Sequence, residues 1–421
     1  MISPARTSAL QILLRYRRDG MLLPSQSDRE ENRRLADQIA CGVIQNGRYL
    51  DAVLTRFVRN GLQNLHPVVR EILRLSAYQI LFLDRVPDFA AVNDAASLCR
   101  ANRCGFAAGF VNAVLRNVSR GKGSFSEMNP AVRYSHPDWI VDRLARDFGQ
   151  SFTEAFLAAN QVVPDLRLQV HTGRCSLEEF IAMLREEGRE ILDINPFLSS
   201  VMIKRCDYFT IDARSTRMCY VQDDAARMSV DVCGLKPGMR VLDVCAAPGG
   251  KSIAAGLYGA EVLCCDLSPQ RLERCLENFT RLKLDIPIRQ QDATVFCPEW
   301  SESFDCVIAD VPCTGTGVIR KHPEIRDKEE KELLALLPIQ QAVLQNVSRY
   351  VAPGGLLLYA TCSVLREEDE DQILRFLNTV DGFDSEPIDR PGFSCENGML
   401  RSWPQLNGND GFFAAALRKR K

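Results

Sequence analysis

An α/β fold is predicted for this 421-residue chain. Its C-terminal domain is expected to carry a doubly wound, largely parallel sheet, with an all-helical domain and a small α/β module before it. Three observations carry this expectation. Residues from about 5 to 119 repeat apolar side chains at three- and four-residue intervals, the spacing of amphipathic helices. From about 221 onward, short apolar runs alternate with longer helical patterns, the rhythm of strand–loop–helix units. Between them, about 130 to 220 mixes the two periods.

The helical part rests on "RTSALQILLRY", "ENRRLADQIACGVIQNGRYLDAVLTRFV", "PVVREILRLSAYQILFL" and "FAAGFVNAVLRNV". Gly20, Gly61, Pro67, Pro87 and Gly105 punctuate these stretches as stops or first-turn residues. The polar, glycine-containing "SRGKGSFSE" (119–127) is a linker, which bounds a first domain at 1–120. A second module, 128–220, has helices in "HPDWIVDRLARDFG" and "SLEEFIAMLREEG", the latter opened by a capping serine with Glu178 and Glu179 in its first turn. Its strand candidates are "DLRLQVHT" and "FLSSVMIKR". The third domain, 221–421, is built from "RVLDVCAAPGGKSIAAGLYG", "EVLCCDLSPQRLERCLENFTRL", "FDCVIADVPC" and "GGLLLYATCSVLREEDEDQILRFL".

Composition narrows the class. A hydrophobic share of 46% with 25% charged residues is that of a water-soluble chain, and no run approaches a membrane span. The amphipathic start lacks the uninterrupted apolar centre of a signal peptide, so a cytoplasmic protein is expected. Sixteen cysteines include no C-x-x-C pair, and the four histidines are scattered; no metal is expected, and most cysteines should simply pack as small hydrophobes. The net charge of −2 is uneven. Residues 1–120 hold 17 arginines, no lysine and 10 acids, giving +7 and leaving −9 for the rest. Such an arginine excess suits RNA contact, although charge pairing along helices would also use it.

In "VLDVCAAPGGKS" (241–252) a strand ends in a small-residue loop before a helix. Gly249 and Gly250 let backbone N–H groups approach a ligand at the helix start. The spacing fits neither a phosphate-binding G-x-x-x-x-G-K-[ST] loop nor G-x-G-x-x-G. Asp266 ends the next strand, where a carboxylate suits ribose hydroxyls, and Asp292 follows a third strand, where it suits an adenine amino group. Adenosine without a polyphosphate points to S-adenosylmethionine. Each aspartate alone is equally an ordinary strand-end acid.

Two cysteines end two further strands, Cys313 in "IADVPCTGTGVIRKHPE" and Cys362 in "LLLYATCSV". Cytosine C5 is a poor nucleophile toward a methyl donor. A thiolate adding at C6 makes it an enamine carbon that attacks the methyl group. Asp310, if desolvated, would be a hydrogen-bond donor near N3, and Lys251 would supply positive charge. The spacing alone leaves open which sulfur attacks, and the bland alternative is that both are buried strand-end thiols.

Together "VQDDAARMSVDVCGLKPGMRVLDVCAAPGGKS", "DVPCTGTGVIRKHPE", "YATCSVLREEDE" and "NDGFFAAAL" resemble the consecutive motifs of the RNA cytosine-5 methyltransferases, the RsmB/NOP group. The N-terminal "VVREILRLSAYQILFLDRVPDFAAVNDAASL" and "FVNAVLRNV" resemble a NusB-like RNA-binding domain. The resemblance spans nearly the whole chain and is weakest from about 130 to 220. It implies a Rossmann-like S-adenosylmethionine methyltransferase domain with a mixed, mostly parallel sheet. It implies Cys362 as nucleophile, Cys313 assisting product release, and Asp310 beside cofactor and base. Cys245, Ala246, Ala247, Pro248, Gly249, Gly250 and Lys251 would form the cofactor loop, joined by Asp266, Asp292 and Asp310. The pairing of domains implies 16S ribosomal RNA, methylated before subunit assembly; a monomer with no membrane or metal partner is expected. Another RNA such as tRNA, or an inactive RNA-binding assembly or antitermination factor, are the alternatives. Two departures touch the base site: Val311 stands where relatives commonly have Ala, and no Trp follows "HPE". Arg320, Lys321 and His322 are therefore weaker candidates for base contacts.

Overall fold

The N-terminal periodicity becomes helices α1 (Pro4–Asp19), α2 (Glu30–Gln45), α3 (Gly47–Thr55), α4 (Pro67–Phe82), α5 (Asp88–Ala101) and α6 (Ala108–Arg120). On α1, Ala5, Ala9, Leu10, Ile12, Leu13 and Tyr16 are buried, the apolar stripe that its spacing dictates. The stretch from Glu31 to Val58 is not one helix. It breaks at Asn46, whose amide donates to Gly42 O at 2.9 Å, a local bond that competes with helix continuation. Pro67 and Pro4 stand in the first turns of their helices, where the missing N–H costs nothing.

The computed structural model describes residues 3–25, 29–125, 128–205, 213–390 and 393–421. Within these the chain divides into two compact units, 1–161 with 322–328, and 162–321 with 329–421. The first unit adds α7 (Asp138–Phe148) and α8 (Gln150–Ala159) to the six helices above. It also takes in the short segment His322–Lys328, where Arg326 is buried and its Nη2 donates to Asn160 O at 2.9 Å. Tyr16 OH donates to Asp327 Oδ2 at 2.8 Å in the same place.

The second unit carries two sheets. The smaller joins β1 (Leu166–Val170), β2 (Ile191–Asn195), β3 (Ser200–Ile203) and β4 (Cys219–Val221) in the antiparallel order β2-β3-β1-β4. Between β1 and β2 runs α9 (Leu177–Glu186), opened by Ser176 and Glu179 as a reciprocal capping box.

After α10 (Asp224–Asp231) come the units of the larger sheet: β5 (Arg240–Asp243), α11 (Gly250–Leu257), β6 (Glu261–Asp266), α12 (Pro269–Leu282) and β7 (Ile288–Gln290). These are followed by β8 (Phe304–Asp310), α13 (Glu330–Val347), β9 (Val351–Thr361) and α14 (Glu370–Thr379). Five strands run parallel in the order β7-β6-β5-β8-β9. Four more, β10 (Phe383–Ser385), β11 (Ser394–Glu396), β12 (Met399–Ser402) and β13 (Phe412–Lys419), extend the sheet antiparallel beyond β9.

The apolar runs obey the period of two. Val241, Cys264, Ile308 and Leu358 face one side of the sheet; Leu242, Cys265, Val307 and Leu357 face the other. The fifteen described cysteines are all free, and ten of them are buried. Strand order reverses between β5 and β8, which leaves a crevice at the carboxyl ends of those two strands. No helix among the described residues is long and apolar enough to cross a membrane.

Candidate active site

The loop that leaves β5 is tied down by its own backbone and by strand-end acids. Ala246 N donates to Cys265 O at 2.9 Å, Ala247 N to Asp266 Oδ2 at 3.2 Å, and Gly249 N to Ala246 O at 2.7 Å. Arg271 and Asn278 from α12 donate to the carbonyls of Ala247 and Pro248 at 2.8 and 3.2 Å. Gly249 has φ of +96°, the left-handed region that glycine adopts without strain, and it opens α11. Cys245 sits at the start of the loop, where burial and the carboxylates of Asp243, Asp266 and Asp310 push its thiol up.

Asp266 is buried at the end of β6, with Oδ2 facing Ala247 N and Oδ1 accepting from Ser268 N at 3.0 Å. Asp292, just past β7, accepts from Thr294 N and Oγ1 at 2.8 and 2.7 Å, which folds the turn around its side chain. Asp243, at the end of β5, was not singled out by sequence reasoning. Burial pushes its carboxyl up to about 7, and nearby Asp310 and Asp266 push it the same way; the Ser252 hydroxyl at 2.7 Å and Lys251 oppose them. Its Oδ1 is buried without a hydrogen-bond partner, as is Oε1 of Gln222, whose side chain packs on Gly250.

The end of β8 delivers Asp310, and Lys251 Nζ reaches its Oδ2 at 2.6 Å from the first turn of α11. The ammonium group also stands 5.0 Å from the centre of the Phe412 ring. Three residues beyond Asp310 comes Cys313, and directly after β9 comes Cys362. Their sulfur atoms are 3.2 Å apart. The contact with Cys362 pushes the Cys313 thiol well above the ordinary cysteine range, and burial and the carboxylates of Glu368 and Asp310 add to it.

Two glycines bring these loops together. Gly317 N donates to Cys362 O at 2.9 Å, and Gly411 N donates to Gly317 O at 2.9 Å. A Cβ on Gly317 would fall 1.9 Å from Gly411 O, so only glycine permits this approach of backbone to backbone. Glu368 anchors the other side of the Cys313 loop, accepting from Thr314 N at 2.8 Å and Thr314 Oγ1 at 2.5 Å. Sequence reasoning quoted it within "YATCSVLREEDE" without singling it out, because its partner Thr314 lies 54 residues away.

Arg320 and Lys321 are engaged elsewhere. Arg320 is buried and donates to Asp410 Oδ1 and Gly408 O, while Lys321 Nζ lies 2.5 Å from Asp410 Oδ2. His322 falls in the helical unit, its Nδ1 3.2 Å from Glu324 Oε1. Among the described residues no group of three His, Cys, Asp or Glu side chains is arranged to hold a metal.

Comparison with known proteins bears on all of these regions. The family model described as 16S rRNA methyltransferase RsmB/F matches residues 230–418, the NusB family matches 3–120, and the Methyltr_RsmF/B-like, ferredoxin-like domain matches 136–205. Ribosomal RNA small subunit methyltransferase B of Pseudomonas putida is 32% identical over 94% of this chain and 93% of its own. The protein of the same name in Pasteurella multocida is 33% identical, covering 91% and 88%. Among solved structures, PH0851 superposes with a TM-score of 0.82 at 25% identity, covering 100% of this chain and 99% of its own. NSun6 from Pyrococcus horikoshii with SFG shares the fold at a TM-score of 0.60 and 21% identity, covering 68% and 99%. A helical NusB region, a ferredoxin-like module and a sheet with two sulfurs beyond the ends of β8 and β9 thus come together in one chain, which belongs to the RsmB/F family of 16S ribosomal RNA methyltransferases.

Proposed function

We propose that this methyltransferase acts on C5 of a specific cytosine in 16S ribosomal RNA, through a transient bond between Cys362 Sγ and C6 of the ring. The observation that carries this reading is the pair of sulfurs 3.2 Å apart beside the Lys251–Asp310 pair. Methylation of an exocyclic nitrogen or a ribose hydroxyl would have no use for a thiol at the reacting ring, still less for two.

S-adenosylmethionine, when bound, supplies an electrophilic methyl group. The residues around the crevice suit it: Asp243 and Asp266 end neighbouring strands, Asp292 lies just past the next, and Asp243 Oδ1 is buried without a partner. Carboxylates there repel a polyphosphate and favour a ligand with hydroxyls, an amino group and positive charge. The loop Cys245–Lys251 and the start of α11 would hold it; the NSun6 structure named above contains SFG, an analogue.

Cys362 adds as a thiolate to C6, and the C5–C6 double bond opens so that C5 carries the new electron density. The Lys251–Asp310 pair, at the edge of the same loop, stabilises charge spreading toward N3 and the carbonyl. After C5 has gained its methyl group and lost its proton, the Cys362–C6 bond breaks, with Cys313 assisting. The target base must be unstacked, because C6 is out of reach inside a helix.

The test is transfer of label from S-adenosylmethionine to unmodified 16S ribosomal RNA, followed by digestion to nucleosides. Labelled 5-methylcytidine is expected with wild type and none with Cys362→Ala. Cys313→Ala should leave a protein–RNA adduct that survives denaturing electrophoresis. Label on another nucleoside, or turnover near wild type by Cys362→Ala, would overturn the proposal.

A further inference from the structure

We infer that Glu368 is a positioning residue that assigns the two sulfurs their parts, holding the Cys313 loop in place and keeping attack with Cys362. This rests on the C5 reading above and extends it to a residue outside the reacting groups. Glu368 is fully buried, six residues beyond Cys362. Its carboxylate accepts from Thr314 N and Thr314 Oγ1, and from Gln340 Nε2 of α13 at 2.9 Å. The same Gln340 nitrogen also donates to Pro312 O at 3.0 Å. Both neighbours of Cys313 in the chain are thereby tethered to one carboxylate. The far end of the residue is fixed as well, since Tyr359 OH donates to Glu368 O at 2.6 Å from within β9. One side chain therefore links the loop after β8 to the loop after β9, and the 3.2 Å separation of the sulfurs depends on that link.

The tether is also a charge. Among the described residues Glu368 meets hydrogen-bond donors but no lysine or arginine within ion-pair distance. A buried carboxylate without a counter-ion keeps its field on whatever lies beside it. Cys313 is faced by Cys362, by Glu368, by Asp310 (itself paired with Lys251) and by the Tyr359 hydroxyl. Each of these groups is either negative or becomes negative when it loses a proton. A second negative charge on Cys313 is opposed from every side, so its sulfur stays a neutral thiol that can meet the departing Cys362 but not compete with it. A mere structural tether would need acceptors at this place but not a charge, and that difference is measurable.

The experiment follows alkylation of Cys313 by iodoacetamide against pH, read by peptide mass spectrometry, in full-length Cys362→Ser protein with and without Glu368→Gln. Glutamine keeps acceptor and donor atoms in the site but removes the charge. In Cys362→Ser the midpoint for Cys313 should lie above the ~8.5 of a free thiol. In the double variant it should fall by about one pH unit, making alkylation about tenfold faster at a fixed pH below both midpoints. Thr314→Ser, which keeps the two hydrogen bonds to Glu368, should leave the profile where it was. An unchanged midpoint in a folded Glu368→Gln protein overturns the inference. Should that variant not fold, the Cys362→Ser protein alone decides, because a midpoint at or below that of a free thiol also overturns it. The alkylation needs no RNA, so a failure of the C5 reading, seen as label on another nucleoside, is distinguishable from a failure here.

Discussion

Gly317→Ala tests how the two sulfur-bearing loops are seated. The new Cβ would stand 1.9 Å from Gly411 O and 2.5 Å from Gly411 C, both rigid backbone atoms. Real Cβ contacts essentially never fall under 3.0 Å, so the two backbone segments must part by about 1.1 Å (3.0 − 1.9). That motion breaks or lengthens two hydrogen bonds, Gly317 N to Cys362 O and Gly411 N to Gly317 O, both 2.9 Å. Each contributes about 1 kcal/mol net, and overpacking a tight site adds about 1–3 kcal/mol. The sum, about 3–5 kcal/mol, is a large part of the stability of an ordinary domain. Gly317 does not have a positive φ, so the cost is steric and not conformational. Urea denaturation followed by tryptophan fluorescence suits the measurement, because Trp300 and Trp403 lie in the catalytic unit. The midpoint should drop strongly, and methyl transfer by whatever protein remains folded should fall at least tenfold. A midpoint and a rate both equal to wild type would refute the steric reasoning.

Three further outcomes follow from the geometry. Gly109→Ala, in the first turn of α6 with open space around the new Cβ, should raise stability by about 0.5–1 kcal/mol; a lowered melting point of the helical unit would count against it. Asp243 has a folded-state pKa raised to about 7. Its contribution is therefore present in full below the unfolded value near 4 and lost as pH rises through about 7. Wild type should thus lose stability relative to Asp243→Asn over that window, and parallel curves would show the burial argument to be wrong. Diamide should close a disulfide between Cys313 and Cys362, given sulfurs 3.2 Å apart, with loss of two hydrogens in peptide mass and of activity, both restored by dithiothreitol. Failure to trap that peptide would mean the sulfurs do not meet.

The parts of the site that lie next to each other in sequence were legible from it. Asp266, Asp310, Cys313 and Cys362 stand at or just beyond the ends of apolar runs of strand length, and the alternation of strands and helices implied the largely parallel sheet but not that the ends of β5 and β8 lie side by side. What escaped notice depends on distant partners. Gly317 and Gly411 are ordinary turn glycines until β13 is laid beside β9, and Glu368 is one acid among several until Thr314 meets it. Arg320 and Lys321 have the composition of an RNA-facing pair, yet Asp410, some ninety residues on, claims both. The strand β2 is mostly half-exposed, so its "ILDIN" gave no alternation to read. The C-terminal strands β10 to β12 are three or four residues long, too short for a period of two to stand out.

The glycine contact has a consequence for synthesis in the cell. A nascent chain that has reached Asp410 already holds both sulfurs, the cofactor loop and the Lys251–Asp310 pair. It lacks Gly411, which braces Gly317, and the strand β13 that follows it. Gly411 follows the sulfurs, the cofactor loop and that ion pair in the chain, so the seat of the two sulfur-bearing loops is the last of these parts to be synthesised.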